Sequence, residues 1–274
     1  MISFVIAWYC ILQKKRLYTL VSLPFLIFAC MQEQFTVYGF ILFIYLFIKS
    51  YLDNRRVDKN YLIATIVSFV GIVSGLLSPG SDNRVFYESK LWYPDFENLS
   101  FPIKVIKGYL ETNRVLFVTS ELNIVFLFLC LLIVATIVKK QYFSAFISGT
   151  IIYTIIIHRF GISNLLTAVQ RIIDDQNDRS DTSYFSIKEN LYLLVLYTLI
   201  LCVIGVIVFL IFKEWKDGLT AIVILAAGYA ARMTVSLSPT IYASGVRTYT
   251  PLIFSLLIVI LMIVKEIYFD FKKI

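Results

Sequence analysis

The chain has 274 residues, of which 59% are hydrophobic and only 16% charged, and its net charge is +7. Soluble domains carry about 25% charged residues, and a mean hydropathy of +0.81 means more apolar surface than a soluble fold of this length can hide, which excludes a soluble enzyme. The positive charge is explained by membrane orientation, so no nucleic-acid partner is expected.

Apolar runs fall near residues 1–12, 17–31, 35–48, 61–77, 121–138, 142–157, 191–212, 218–237 and 251–264. The predicted class is an all-α polytopic membrane protein of about eight or nine apolar helical segments, with amphipathic helices on its outer surface and the lipid bilayer as its first partner. Several runs approach the ~20 residues that cross a hydrocarbon core, and others fall short. Lys and Arg occupy alternate gaps between the runs. One set of gaps holds Lys14, Lys15, Arg16, Lys49, Arg55, Arg56, Lys59, Lys139, Lys140, Lys213, Lys216, Lys265, Lys272 and Lys273 against six acids, a net charge of +8 on short segments. The other set is longer and carries a net charge of −2. Short loops rich in Lys and Arg stay cytoplasmic, so the first set is predicted inside, the C-terminus with it.

In chain order, Met1–Leu12 offers about 12 apolar residues and no basic n-region or cleavage site, so it reads as the tail of a helix whose beginning is missing. Leu17–Ile48 must leave and return within 32 residues. It is predicted to form a hairpin of two short arms tipped by Met31-Gln32-Glu33-Gln34, and arms of about 15 residues cover only ~22 Å. Glu33 is therefore expected in a partly buried position, where an ionisable group is costly and tends to be functional. These segments and Tyr61–Leu77 make up an N-terminal group of spans, residues 1–77.

An outer loop is predicted over 78–120, opening with the turn-forming cluster Ser78-Pro79-Gly80-Ser81-Asp82-Asn83-Arg84. Within it, Lys104, Lys107, Glu111 and Arg114 lie on one face of Phe101–Thr119, with Ile103, Ile106, Leu110 and Phe117 largely on another. This is the pattern of an interfacial helix lying along the membrane surface. A helical hairpin (121–157) follows, then a second outer loop (158–190) with an amphipathic Asn164–Ile173 and a polar tip over 174–183. The C-terminal spans, 191–274, enclose a third outer loop, Ser238–Thr250. The whole chain reads as one transmembrane domain with no internal repeat.

No phosphate-cradling Gly-rich loop, HExxH, GxSxG or CxxC occurs. Four separated cysteines in apolar runs and a single histidine, His158, give no metal set, and no cofactor or metal is expected. What remains is charge at the outer side. Arg232 lies inside a span, where an arginine costs about 2.5–3.5 kcal/mol and needs a carboxylate, carbonyls or an anionic ligand. Arg84 and Arg247 each follow a Ser-Pro at a span exit, and a guanidinium there is suited to bidentate contact with a phosphate. Asp82 beside Arg84 and Tyr249 beside Arg247 complete the candidate substrate-binding set, with Glu33 the candidate catalytic carboxylate. Glu121, His158-Arg159 and Asp174-Asp175 read as structural or solvated groups.

The hairpin CMQEQF, the span exit SPGSDNR and the loop SPTIYASGVRTYTP before the last span resemble the C-terminal half of bacterial polytopic glycosyltransferases of the GT-C kind, in particular GtrII-like glucosyltransferases of surface polysaccharides. The resemblance implies transfer of a sugar from a polyprenyl-phosphate carrier to a surface glycan at the outer face of the bacterial cytoplasmic membrane. Glu33 would then line the catalytic cavity, and Arg84 and Arg247 would face the lipid phosphate or the glycan. Such enzymes place a catalytic Asp between their first two spans. This sequence has no such position, so an N-terminal part is expected to be missing. A polysaccharide polymerase would use the same substrates, and a transporter or lipid-linked-sugar flippase component would pair Arg232 with Glu33 as a gate.

Overall fold

The computed structural model describes residues 1–13, 16–119, 121–177 and 187–271. Every one of the nine apolar runs forms a helix: α1 (Ile2–Leu12), α2 (Arg16–Ala29), α3 (Glu33–Asn54), α4 (Lys59–Leu76), α7 (Asn123–Val138), α8 (Tyr142–Arg159), α10 (Ile187–Ile211), α11 (Trp215–Met233) and α12 (Thr250–Phe271). Three more helices lie between them, α5 (Pro79–Trp92), α6 (Phe101–Phe117) and α9 (Leu165–Asn177), and no strand occurs among the described residues. Among the described residues, five segments are long and apolar enough to cross a bilayer: Glu33–Asp53, Lys59–Leu76, Asn190–Ile211, Trp215–Leu237 and Val246–Asp270. The molecule is a helical, multi-pass membrane protein. Of the two hairpin arms expected to be short, α2 has 14 residues and reaches only ~21 Å at 1.5 Å per residue, whereas α3 has 22 residues and is long enough to span.

The packing follows from small residues at helix crossings. With lipid as apolar as leucine, helices associate through close backbone approach and hydrogen bonds. A Cβ on Gly39 of α3 would lie 2.9 Å from Ser68 Oγ of α4, and one on Gly71 of α4 would lie 2.7 Å from Thr36 Cγ2 of α3, so these two helices meet through glycine and hydroxyl residues on both sides. Gly228 of α11 meets Ser255 of α12 in the same way, its Cβ position 3.0 Å from the Leu252 Cα. Between these pairs, the buried Phe4 of α1 packs with ring centroids 5.2 Å from Tyr38, 5.7 Å from Phe35 and Phe43, and 6.4 Å from Phe254, tying α1 to α3 and α12.

The two ends of the bundle differ. At one end, Lys216 Nζ meets Asp53 at 2.5 Å, Lys49 meets Asp217 at 3.9 Å, and Lys139 meets Glu266 at 2.8 Å and Asp270 at 2.6 Å. Four of the basic gaps, around residues 49–59, 139–140, 213–216 and 265–273, therefore gather at a common, lysine-rich end. The longer connections gather at the opposite, loop-rich end.

Two expectations change there. Ser78–Arg84 is the cap and first turns of α5, with Ser78 as N-cap and Pro79 in the first turn. Proline is tolerated there because its missing N–H has no partner in the helix anyway. Helix α6 is packed into the protein. From Gly108 to Phe117 it buries Leu110, Glu111, Thr112, Asn113, Val115, Leu116 and Phe117. Gly108 packs against Ser236, its Cβ position 3.0 Å from the Ser236 Cα, and Phe117 stacks on Tyr197 of α10 at 6.2 Å. The amphipathic pattern survives, but both faces have protein partners. Helix α9 forms where amphipathicity predicted it, with Leu166 and Val169 buried. The expected polar tip over 174–183 lies largely outside the described residues.

Candidate functional site

The loop-rich end is built around Arg232. This residue sits in the last turn of α11, close to the end of the span rather than at its middle, and only 1% of it is exposed. Its guanidinium carbon lies 4.4 Å from the centroid of the Tyr249 ring, and Nη2 donates to Tyr249 Oη at 3.4 Å. Neither Nε nor Nη1 has a hydrogen-bond partner among the described residues. Stacking on an aromatic face returns part of the lost hydration of a cation. It does nothing for the remaining N–H groups, and each buried donor left unmade costs about 1–3 kcal/mol, more when it belongs to an ion.

Tyr249 is placed by a short 3-10 turn, Val246–Tyr249, that follows Gly245 at φ +58°, a left-handed conformation to which glycine is suited. Its hydroxyl reaches the backbone carbonyl of Glu111 at 3.5 Å, so α6 closes over the arginine. The Glu111 carboxylate, also buried, is engaged elsewhere: Arg114 Nε donates to Oε2 at 2.7 Å and Arg114 Nη2 to Oε1 at 2.8 Å. That bidentate pair neutralises itself. With Arg232 added, the cluster keeps one uncompensated positive charge. Asn113, two residues after Glu111, donates through Nδ2 to Tyr229 Oη at 2.7 Å and to Tyr109 O at 2.8 Å, and its Oδ1 has no partner among the described residues. A buried cation with free donors, an amide with a free acceptor and two phenols together form a polar centre fitted to an anion that also brings a donor or a water.

The remaining candidates form a rim. Arg84 is exposed and donates to Glu88 at 3.0 Å, and Glu88 Oε2 in turn accepts from Ser238 Oγ at 3.4 Å. The two Ser-Pro exits are thus joined through a carboxylate that the sequence did not single out. Ser238 continues to Thr240 at 2.9 Å, and Ser244 donates to Thr240 at 2.9 Å. Arg247 is exposed, and its guanidinium has no partner among the described residues. Asp82 lies in the first turns of α5, and its side chain falls outside the described set. Glu33 is exposed in the first turn of α3, its Cγ 3.7 Å from where a Cβ on Gly75 would lie, with no ion pair or hydrogen bond among the described residues. No contact joins it to Arg232. The side chain of Glu33 is not buried by protein, and neighbouring Met31 is 80% exposed.

Above the rim, Lys107 Nζ donates to Tyr93 Oη at 2.6 Å and the Tyr93 ring packs 6.0 Å from Tyr242. Burial pushes the Tyr93 phenol up to about 12, with the charge of Asp95 adding to the shift, so it remains a neutral hydroxyl for this lysine. Of the residues expected from sequence, the structure brings Arg232 and Tyr249 into one centre, places Arg84 and Arg247 at its rim and leaves Glu33 apart. It adds Glu88, Glu111, Asn113 and Arg114. The signal for three of these was in the helix itself: an i,i+3 acid–base pair flanking an asparagine, one turn after a glycine, is a face able to bury its charges.

Searches find no protein-family model, no curated protein and no solved structure that matches this chain.

Proposed function

We propose that this protein is a lipid-carrier-dependent glycosyltransferase of the bacterial cytoplasmic membrane, working with its loop-rich end outward and its C-terminus in the cytoplasm. Its eight or nine helical segments would hold a polyprenyl-phosphate-linked sugar, which it transfers to a surface glycan. The observation that carries this reading is the Arg232 centre: a fully buried guanidinium, stacked on Tyr249, with Nε and Nη1 unpartnered among the described residues, at the end of a membrane-spanning helix. A charge kept in that state is held for an anion, and in a membrane protein the anion that arrives with an apolar tail is a lipid phosphate.

In this reading Arg232 and Tyr249 take the carrier phosphate as it departs. Arg84, Asp82 and Arg247 meet headgroup or glycan at the rim. Glu33 is assigned the proton of the attacking hydroxyl. The acceptor oxygen bonds to the anomeric carbon, the bond from that carbon to the phosphate oxygen breaks, the proton goes to the carboxylate, and the carrier leaves as polyprenyl phosphate. Charge on the leaving oxygens grows along this path, so a preorganised guanidinium stabilises the transition state more than the ground state.

The test is the composition and chain length of the surface glycan in the producing cell when Arg232→Met replaces the native residue. Loss of one sugar substituent at constant chain length is the expected result. A change of chain length alone would replace this reading with that of a polymerase, and an unchanged glycan with the variant present in the membrane would end both.

A further inference from the structure

A second constellation at the loop-rich end is used by none of the roles above. An open cleft of about 390 Å³ is lined by Val118, Thr119, Glu121, His158 and Arg159, where the connection from α6 to α7 meets the last turn of α8. Its volume falls within the range of pockets that hold small ligands. Glu121 is exposed and makes no hydrogen bond or ion pair among the described residues. Arg159 has one long hydrogen bond, Nη1 to Asn123 Oδ1 at 3.4 Å, and lies 5.6 Å from the Phe126 ring. His158 is better fixed, with Nδ1 3.3 Å from Thr167 Oγ1 and Gln170 also in hydrogen-bonding reach of the ring.

The mixture of charges narrows the ligand. An anion would meet the carboxylate of Glu121, and a cation would meet the guanidinium of Arg159. A neutral ligand with adjacent hydroxyls satisfies both, because each hydroxyl donates to a carboxylate and accepts from a guanidinium, with the imidazole and the Thr119 hydroxyl able to do either. The cleft also adjoins the Arg232 centre. Val118 N and Thr119 N both donate to the carbonyl of Arg114, and the charge of Glu121 is felt at the Arg114 guanidinium that holds Glu111.

We propose that this cleft is a binding subsite for a polyhydroxylated sugar unit, the part of the acceptor glycan behind the hydroxyl that reacts. The assignment rests on the transferase reading for its place in the reaction, and on the cleft's own chemistry for its ligand class.

His158 is the only histidine in the chain, so its reaction with diethyl pyrocarbonate reports on the cleft alone. The full protein in lipid nanodiscs is treated with this reagent in the presence and absence of oligosaccharides released from the producing cell's surface polysaccharide. The expected result is modification slowed about fivefold or more by the oligosaccharides, with protection lost in Glu121→Gln and in Arg159→Gln at unchanged melting temperature. Equal rates with and without oligosaccharide, in protein that still binds polyprenyl phosphate through Arg232, overturn the subsite and leave the donor reading standing. Protection that persists in the Glu121→Gln, Arg159→Gln double variant also overturns it. Protection in wild type, together with a surface glycan unchanged by Arg232→Met, supports the cleft and removes the donor reading.

Discussion

The lysine-rich and loop-rich ends of the bundle handle charge in opposite ways. At the first, cations from one helix meet carboxylates from another: Lys139 with Glu266 and Asp270, Lys216 with Asp53, Lys49 with Asp217. These groups keep access to water, and each pair crosses between helices that the sequence separates widely. At the second, the carboxylate of Glu111 spends itself on Arg114 within one helix, and Arg232 faces an aromatic ring with two nitrogens unmade. Ion pairs at the edge of a bundle fix how its helices end together. A buried cation without a counter-charge destabilises the resting protein, and its retention points to a ligand.

The comparison is broken most sharply at Arg232. Arg232→Met is expected to reduce glycan modification by 100-fold or more while leaving the melting temperature of the detergent-extracted protein equal or higher, since an unpaired buried charge is replaced by an apolar chain of similar length. A large fall in melting temperature would make the arginine structural and erase the contrast. Gly108→Ala comes next. Its new methyl is forced on Ser236, the backbone of which already stands 3.0 Å from that position, so α6 must lift. A loss of about 1–3 kcal/mol in denaturant unfolding is expected, together with new reactivity in a cysteine introduced at position 112.

Lys139→Ala should cost about 1–2 kcal/mol, because two carboxylates lose the cation they share, and an unchanged unfolding curve would show that this end is not a clamp. The same lysine predicts a pH effect. Burial alone would lower its pKa, but hydrogen bonds to Asp270 and Glu266 more than offset this and raise it above the ordinary 10.5. A raised folded-state value stabilises below the unfolded value and is lost as pH rises through the folded one. Melting temperature should therefore hold to pH 10 and fall beyond it, a fall absent in Lys139→Ala. The smallest effect belongs to Lys216→Ala. It and its partner Asp53 both keep access to water, so an unchanged melting temperature is expected.

Much of this architecture could be read in the sequence because it depends on one-dimensional patterns. Apolar runs became helices, and four of the basic gaps came together at one end, because each span carries the chain to the other end of the bundle and the next one returns it. The site was legible only in part. Arg232 stood out as a charge in an apolar run, and Tyr249 and Arg247 stood beside a span exit. Glu111 and Arg114 were seen but placed on the wrong surroundings, since a polar stripe on a helix looks the same whether it faces water or tyrosines of α10 and α11. Glu88 was invisible because its meaning lies in Ser238, far along the chain. For Glu33 the sequence offered a hairpin tip, and the structure shows the residue exposed with no side-chain partner among the described residues.

The insertion of α6 has a consequence in time. Asn113 finds Tyr229 across 116 residues of chain, and at synthesis rates of about 5–20 residues per second the helix waits on the order of 6–23 s before its partner is made. For that interval, α6 has its glycine face and its buried acid–base pair but nothing to cover them. The helix that closes the Arg232 centre is thus the one that the growing protein must keep waiting at the membrane surface, and a chaperone or the insertion machinery has several seconds in which to hold it.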